Sequence, residues 1–357
     1  MTARVSAPVN NFLDKTRYGY VAYRASDGLG LGKPKTARLI GIVGKPKNAA
    51  NHNCKQAKEA RGAIGGFMRE DNIEIFKDTE RLCKTNAALA NAIKESSAAQ
   101  KLFLEGASID SVAGTVASPK NAAAKKRFDQ DAKIVVSKKR TFEAAYGYKD
   151  TGLSVAVLNF ASASNPGGGV VHGSSAQEEC LCRCSTLYFN LNENSNWENF
   201  YMPHRQDGNP LHNDDIIYTP GVVVFKSDAA YPKLLAERDW QKLNVITCAA
   251  PNLRERPSNR YNSGDGFAAV NISDADLQAL HEKRARRILD VAAFGQNDAL
   301  ILGAFGCGAF RNKPQVVAAA YKNVLADYRR AFKVIEFAVY CSPRDEENFL
   351  VFKKALG

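Results

Sequence analysis

No stretch of the 357-residue sequence approaches the roughly 18 to 20 consecutive apolar residues that a membrane-spanning helix requires, which disfavours a helical membrane protein. A short apolar segment followed by a secretory cleavage pattern is also missing near Met1. Cysteine is sparse, with eight residues in no paired framework, so reduced thiols in a reducing compartment are expected rather than a disulfide scaffold. Together these absences lead to the expectation of an intracellular protein, cytoplasmic or nuclear and not secreted. Two nucleotide fingerprints are lacking: there is no G-x-x-x-x-G-K-[ST], and no G-x-G-x-x-G with a ribose-binding acid downstream. A phosphate-loop ATPase and a dinucleotide-dependent dehydrogenase are therefore disfavoured. No internal repeat is visible, which disfavours a solenoid. What is there, 45% hydrophobic residues over this length, suffices for a well-buried core in one large domain or two ordinary ones.

The net charge of +12 is unevenly spread. From Met1 to Arg61 twelve Lys or Arg face Asp14, Asp27 and Glu59, a balance of +9, which leaves +3 for the rest of the chain. Residues 1–66 are expected to be a basic, partly disordered arm, with attraction to polyanions or an organellar presequence as the functional alternatives. Residues 67–132 are expected to form an N-terminal helical extension. Between Arg69 and Leu104 the apolar positions Ile73, Phe76, Leu82, Cys83, Leu89, Ala90 and Ile93 follow a helical period, with Thr79 and Asn86 as polar interruptions.

Residues 133–357 carry the pattern of a catalytic domain. Short apolar runs ("KIVVS", "LSVAVLNFA", "IIYTPGVVVF", "LNVITCAA", "ALILGAF", "VIEFAVYCS") alternate with helical segments, notably Ser174 to Leu187, Asp274 to Phe294, Pro314 to Phe332 and Asp345 to Leu356. Strands apolar on both faces and separated by helices predict an α/β fold with a parallel or mixed sheet, covered on both sides.

Within this pattern "NPGGGVVHGSSAQEE" follows a predicted central strand and leads into a helix, with Ser174 or Ser175 expected as its N-cap. Glycines there let a ligand approach backbone N–H groups, and a helix start favours an anion. A second strand, "GCGAFRN" and a helix opening at Pro314 repeat the design. Taken singly, each loop is as readily a structural turn. Two such loops beyond the carboxyl ends of one sheet predict a pyrophosphate or dinucleotide-like ligand. The adjacent Glu178 and Glu179 are ordinary residues for a helix's first turn. Crowded and buried beneath a ligand, they are also the means by which a glutamate becomes a general acid near neutral pH.

Gly167, Gly168 and Gly169, then seven residues, then Gln177, Glu178 and Glu179 resemble the signature of the poly(ADP-ribose) glycohydrolases, and of their microbial-type branch in particular. The stretches "FKDTERL", "VLNFASASNPGGG", "QEECLCRCSTLY", "VITCAAPNLR" and "LGAFGCGAFRNKP" extend the resemblance over roughly Glu70 to Leu350. It implies a macrodomain-like three-layer α/β/α fold with a mixed central sheet. It further implies cleavage of ribose–ribose O-glycosidic bonds in poly(ADP-ribose), releasing ADP-ribose mainly from chain ends, in reversal of ADP-ribosylation and in the DNA damage response. Glu179 is then the catalytic acid/base and Glu178 the group that orients ribose hydroxyls. Gly167, Gly168, Gly169, Val170 and Gln177 are implied as substrate-binding, as are Gly306, Cys307, Gly308, Ala309 and Phe310 of the second loop. Asn159, Ser162 and Asn165 are carried with them for adenine or ribose, although Asn165-Pro166 also reads as a plain turn.

No cofactor or metal is implied. The expected partners are poly(ADP-ribose), ADP-ribose and poly(ADP-ribosyl)ated proteins, with no membrane and no required nucleic acid, the basic arm being suited to polyanions. Cys180, Cys182 and Cys184 have C-x-C-x-C spacing but lack a fourth ligand at standard spacing, and read as core or surface thiols. "MPHRQDGNPLHNDD", with His204, His212, Asp214 and Asp215, is expected to be an exposed loop serving as a lid. Two alternatives stay open from sequence: a module that binds ADP-ribose or its polymer without cutting, and a hydrolase that removes single ADP-ribose units from side chains.

Overall fold

A computed structural model describes residues 68–107, 126–259, 263–342 and 345–357. The basic arm expected at 1–66 lies outside the described residues. Residues 68–85 form helix α1, and helix α2 (Ala87–Ala99) follows after one break. The break falls at Asn86, one of the polar interruptions. Its backbone is extended and its side-chain oxygen accepts from the N–H groups of Ala88 (2.9 Å) and Leu89 (3.1 Å), which caps α2.

Seven strands make one mixed sheet: β1 (Lys101–Phe103), β2 (Lys133–Ser137), β3 (Val155–Ala161), β4 (Ile216–Val224), β5 (Gln241–Ala249), β6 (Ala299–Leu302) and β7 (Val334–Ala338), in the order β1-β4-β5-β3-β6-β7-β2. The five strands from β5 to β2 run parallel, while β4 is antiparallel to both β5 and β1. The helices are α3 (Thr141–Tyr146), α4 (Gln177–Cys184), α5 (Leu187–Leu191), α6 (Met202–Asp207), α7 (Asp274–Phe294), α8 (Pro314–Leu325) and α9 (Glu347–Leu356).

Strand periodicity sorts the core into two halves. Ala156, Leu158, Leu300 and Leu302 face Ile288, Leu289, Val317 and Phe352 of α7, α8 and α9. Val155, Val157, Ala299 and Ile301 face Phe142, Leu181 and Leu187 of α3, α4 and α5. The result is the three-layer α/β/α arrangement predicted from the apolar runs, each buried Leu, Ile or Val contributing about 1.5–3 kcal/mol. Among the described residues no helix is long and apolar enough to cross a membrane.

Helix α1 is held by a buried polar clamp. Thr79, fully buried, donates to the carbonyl of Arg183 (2.6 Å) and accepts from Lys226 Nζ (2.8 Å). Lys226 is itself 2% exposed, donates to the Ile75 carbonyl and lies 2.9 Å from Asp78 Oδ2. The polar interruption at Thr79 is therefore the docking point of the helix.

Two local expectations are corrected. Segment 202–215 is no exposed lid: it opens with α6, and His204, Asp214 and Asp215 are buried. Asp214 meets Arg284 at 2.9 Å, Asp215 accepts from the Glu105 N–H (2.6 Å) and Asn213 (2.9 Å), and burial lowers the pKa of His204 to about 4 so that its ring is neutral; a polar composition does not mean a solvated loop here. The N-cap of α4 is Ala176 rather than Ser174 or Ser175, because a 3₁₀ turn at Val170–His172 and the left-handed Gly173 take up the chain before the helix begins.

Candidate active site

The site starts where β6 parts from β3. Their ladder runs only from Val155 to Val157, whereas β5 accompanies β3 to Ala161. The vacated edge of β3 is filled by a side chain: Gln177, first residue of α4, accepts from the Phe160 N–H (2.8 Å) and donates to the Leu158 carbonyl (2.8 Å) and to Thr141 Oγ1 (3.0 Å). An amide carries the same donor and acceptor as a peptide group, so it continues the ladder in place of the missing strand.

Glu178 then reaches the end of β3. Its Oε2 accepts from the Ser162 N–H (2.7 Å) and its Oε1 from Asn159 Nδ2 (3.2 Å). Glu179 turns to the glycine loop, where Oε1 accepts from the Gly169 N–H at 2.9 Å. Its Oε2 is buried and has no hydrogen-bond partner. Both carboxyls lie above the usual range: burial is the leading cause for each, and repulsion by Glu179 adds to it for Glu178. Donation from Ser162 and Asn159 to Glu178, and from Gly169 to Glu179, opposes the rise.

Glycine is required here by contact as well as by dihedral. At Gly168 (φ +57°) a Cβ would stand 2.6 Å from Glu179 Oε1 and 3.2 Å from Glu178 Oε2, so both carboxyls crowd against this one residue. At Gly173 (φ +73°) a Cβ would stand 2.2 Å from the Arg69 carbonyl oxygen, and the neighbouring Asn72 donates to the Gly173 carbonyl at 3.1 Å. Helix α1 thus leans directly on the loop that holds Glu179.

A cavity of about 1080 Å³ opens at the carboxyl ends of the parallel strands. Of the sequence-predicted residues, Ser162, Gly168, Gly169, Gln177, Glu178, Glu179, Gly306, Gly308, Ala309 and Phe310 line it together. Five others stand behind its wall. Asn159 lies beneath Glu178, and Gly167 lies against the Tyr188 ring. Val170 is in the core, Cys307 packs against the core, and Asn165 is bonded to Arg205 (2.9 Å) and to the Ser263 carbonyl (2.9 Å). Cys182 and Cys184 are buried in the core, while Cys180 is partly exposed beside Arg183.

Sequence reasoning missed several lining residues: Met68, Arg69 and Asn72 of α1, then Arg140, Tyr340 and Arg254. The signal for the last three was available. Arg140 follows β2, Tyr340 follows β7 and Arg254 follows β5, each a few residues past the carboxyl end of its strand, and the rule that ligands bind at such ends applies to every parallel strand, not only to the two with glycine loops. Residues of α1 carried no comparable signal, since their place depends on docking.

Strand order, layers and the cavity's position define the class, a macrodomain-like α/β fold. Residues 70–227 match the family model described as microbial-type PARG, catalytic domain. Among solved structures, poly(ADP-ribose) glycohydrolase from Deinococcus radiodurans in complex with ADP-ribose is 31% identical with a TM-score of 0.58, covering 74% of this chain and 96% of its own. The Thermomonospora curvata enzyme bound to the inhibitor ADP-HPD is 27% identical with a TM-score of 0.63, covering 80% and 99%. A further structure of the enzyme from Thermomonospora curvata gives 27% and 0.65, covering 81% and 100%. No curated protein matches. The chain belongs to the microbial-type poly(ADP-ribose) glycohydrolase family and is a glycosidase of that kind.

Proposed function

We propose that this chain hydrolyses the ribose–ribose O-glycosidic bonds of poly(ADP-ribose), releasing ADP-ribose mainly from chain ends, with Glu179 as general acid/base. The observation that carries this reading is the Glu179 carboxyl itself: one oxygen is fixed by the Gly169 N–H, and the other is buried and unpartnered in a residue lining the cavity. Burial raises its proton affinity, which suits an acid near neutral pH. Its proton passes to the glycosidic oxygen as that bond breaks, and the departing ribose leaves as an alcohol. Positive charge then grows on the anomeric carbon, where the ligand's own phosphates and a nearby carboxylate stabilise it. Glu179, now ionised, takes a proton from water as the oxygen of that water bonds to the anomeric carbon, and the acid is restored.

Glu178, held by Ser162 and Asn159, orients ribose hydroxyls. Backbone at Gly168, Gly169, Gly306 and Gly308 cradles the pyrophosphate, and Phe310 packs near the terminal ribose. Gln177 keeps α4 in register with β3, and residues 67–132 act as an extension whose helix α1 walls one side of the cavity through Met68, Arg69 and Asn72. A wall there supports action at chain ends. The physiological substrates are poly(ADP-ribosyl)ated proteins.

The test is incubation of poly(ADP-ribose) with wild type and with Glu179→Gln. Wild type is expected to release ADP-ribose; the variant is expected to lose at least about 10³-fold in rate while still binding ADP-ribose. Tight binding without release by wild type would identify a non-hydrolytic reader instead, and release only from singly modified side chains would identify a mono-ADP-ribosyl hydrolase.

A further inference from the structure

The cavity wall contains a guanidinium with no carboxylate in direct contact: Asp265, behind it, reaches Arg254 only through Asn252. Arg254 is oriented from behind by neutral acceptors: its Nε donates to Asn252 Oδ1 at 3.0 Å and its Nη2 donates to the Pro257 carbonyl. Asn252 is fully buried and is itself held by Asp265 Oδ2 at 2.9 Å. The guanidinium plane lies over the Phe310 ring, 5.5 Å from its centroid, and the Leu253 N–H donates to the Phe310 carbonyl at 2.9 Å. Arg254 is thereby fastened to the second glycine loop.

Arg284 and Arg127, by contrast, each meet a carboxylate, Asp214 and Asp298 respectively, both at 2.9 Å. Among the described residues no carboxylate reaches Arg254 at ion-pair distance. An arginine stays charged even when half buried. Leaving that charge on a cavity wall without a counter-ion costs free energy unless a ligand supplies one. Arg140 also lines the cavity, but its guanidinium is stacked on Tyr340 at 4.0 Å, away from the second glycine loop.

Resting on the reading of the cavity as an ADP-ribose site, we infer that Arg254 is the side-chain counter-ion for a phosphate of the ligand beside the second glycine loop. That phosphate belongs either to the ADP-ribose unit in the cavity or to the adjoining unit of the polymer; the chemistry recognised is the same. The experiment compares wild type, Arg254→Ala and Arg254→Lys, all checked for an unchanged thermal midpoint, for binding of ADP-ribose and of adenosine and for KM on the polymer. Arg254→Ala is expected to weaken ADP-ribose about 10-fold or more, to leave adenosine unchanged, and to flatten the salt dependence of binding, with Arg254→Lys recovering part of the loss. Unchanged ADP-ribose affinity with a raised polymer KM assigns the contact to the adjoining unit. Equal losses for adenosine and ADP-ribose, or no loss on any ligand, overturn the inference. Wild-type release of ADP-ribose from polymer is measured alongside, so a failure of the glycohydrolase reading would register separately.

Discussion

Two glycines of the cavity wall, alike in sequence, differ in what surrounds them. Gly168 has a positive φ, and a Cβ there would stand 2.6 Å from Glu179 Oε1. Gly168→Ala is therefore expected to cost about 1–3 kcal/mol of stability for the strained backbone and, with Glu179 in its proposed role, to lower kcat by about 10²-fold through displacement of that carboxyl. At Gly308 a Cβ would meet nothing within 4 Å, because the open side is the cavity. Gly308→Ala is expected to leave stability within about 0.5 kcal/mol of wild type while weakening ADP-ribose binding. Urea unfolding and titration with ADP-ribose measure both; equal behaviour of the two variants would contradict this account of the loops. Legibility at this scale was uneven for a physical reason. The glycines and glutamates announce themselves by spacing along the chain, whereas Arg254 stands past the end of a different strand, where only the general rule for strand ends points to it and no local pattern ties it to Phe310.

Among the elements, α1 has a buried amine among its anchors. Lys226→Ala would remove the buried donor to the Thr79 hydroxyl and the Ile75 carbonyl and leave Asp78 with Arg81 alone, a loss expected to cost about 2 kcal/mol or more. A lower urea midpoint, with greater protease sensitivity in α1 than in α7, is the expected outcome; an unchanged midpoint would mean that apolar packing alone holds the helix. Six of the seven strands were legible, because strands buried on both faces read as continuous apolar runs. Strand β1 was not: three residues, Lys101 to Phe103, are too few for any periodicity. Segment 202–215 misled for the opposite reason, since His and Asp residues buried with internal partners look in sequence like residues that face water.

For the molecule as a whole, the buried carboxyls set opposing pH slopes. Glu178 and Glu179 are raised above their ordinary value of 4.5, so the folded state binds their protons more readily than the unfolded chain. Their contribution is present below that value and is lost as pH rises through the raised native values. Asp214 and Asp265 are lowered below 3.8 despite burial, Asp214 by Arg284 and Lys283 and Asp265 by His212, Ser164 and Asn252. Their contribution is present above 3.8 and is lost as pH falls through the lowered values. Glu178→Gln removes one slope of the first kind. Its stability relative to wild type is expected to improve between pH 5 and pH 8, on top of a constant offset for altered hydrogen bonds. Urea midpoints at those two values test this, and a pH-independent difference would refute it. The strand-like grip of Gln177 on β3 has a consequence of its own. It keys the start of α4 to the edge of β3, so Glu178, one position on and bonded to Asn159 and Ser162, answers to the rigid core, whereas Glu179 answers to the Gly169 loop on which α1 leans. A disturbance of α1 or of the spacer 170–176 would therefore shift the Glu179 carboxyl and spare Glu178, which on the proposed roles gives an enzyme that still grips ribose but no longer cuts.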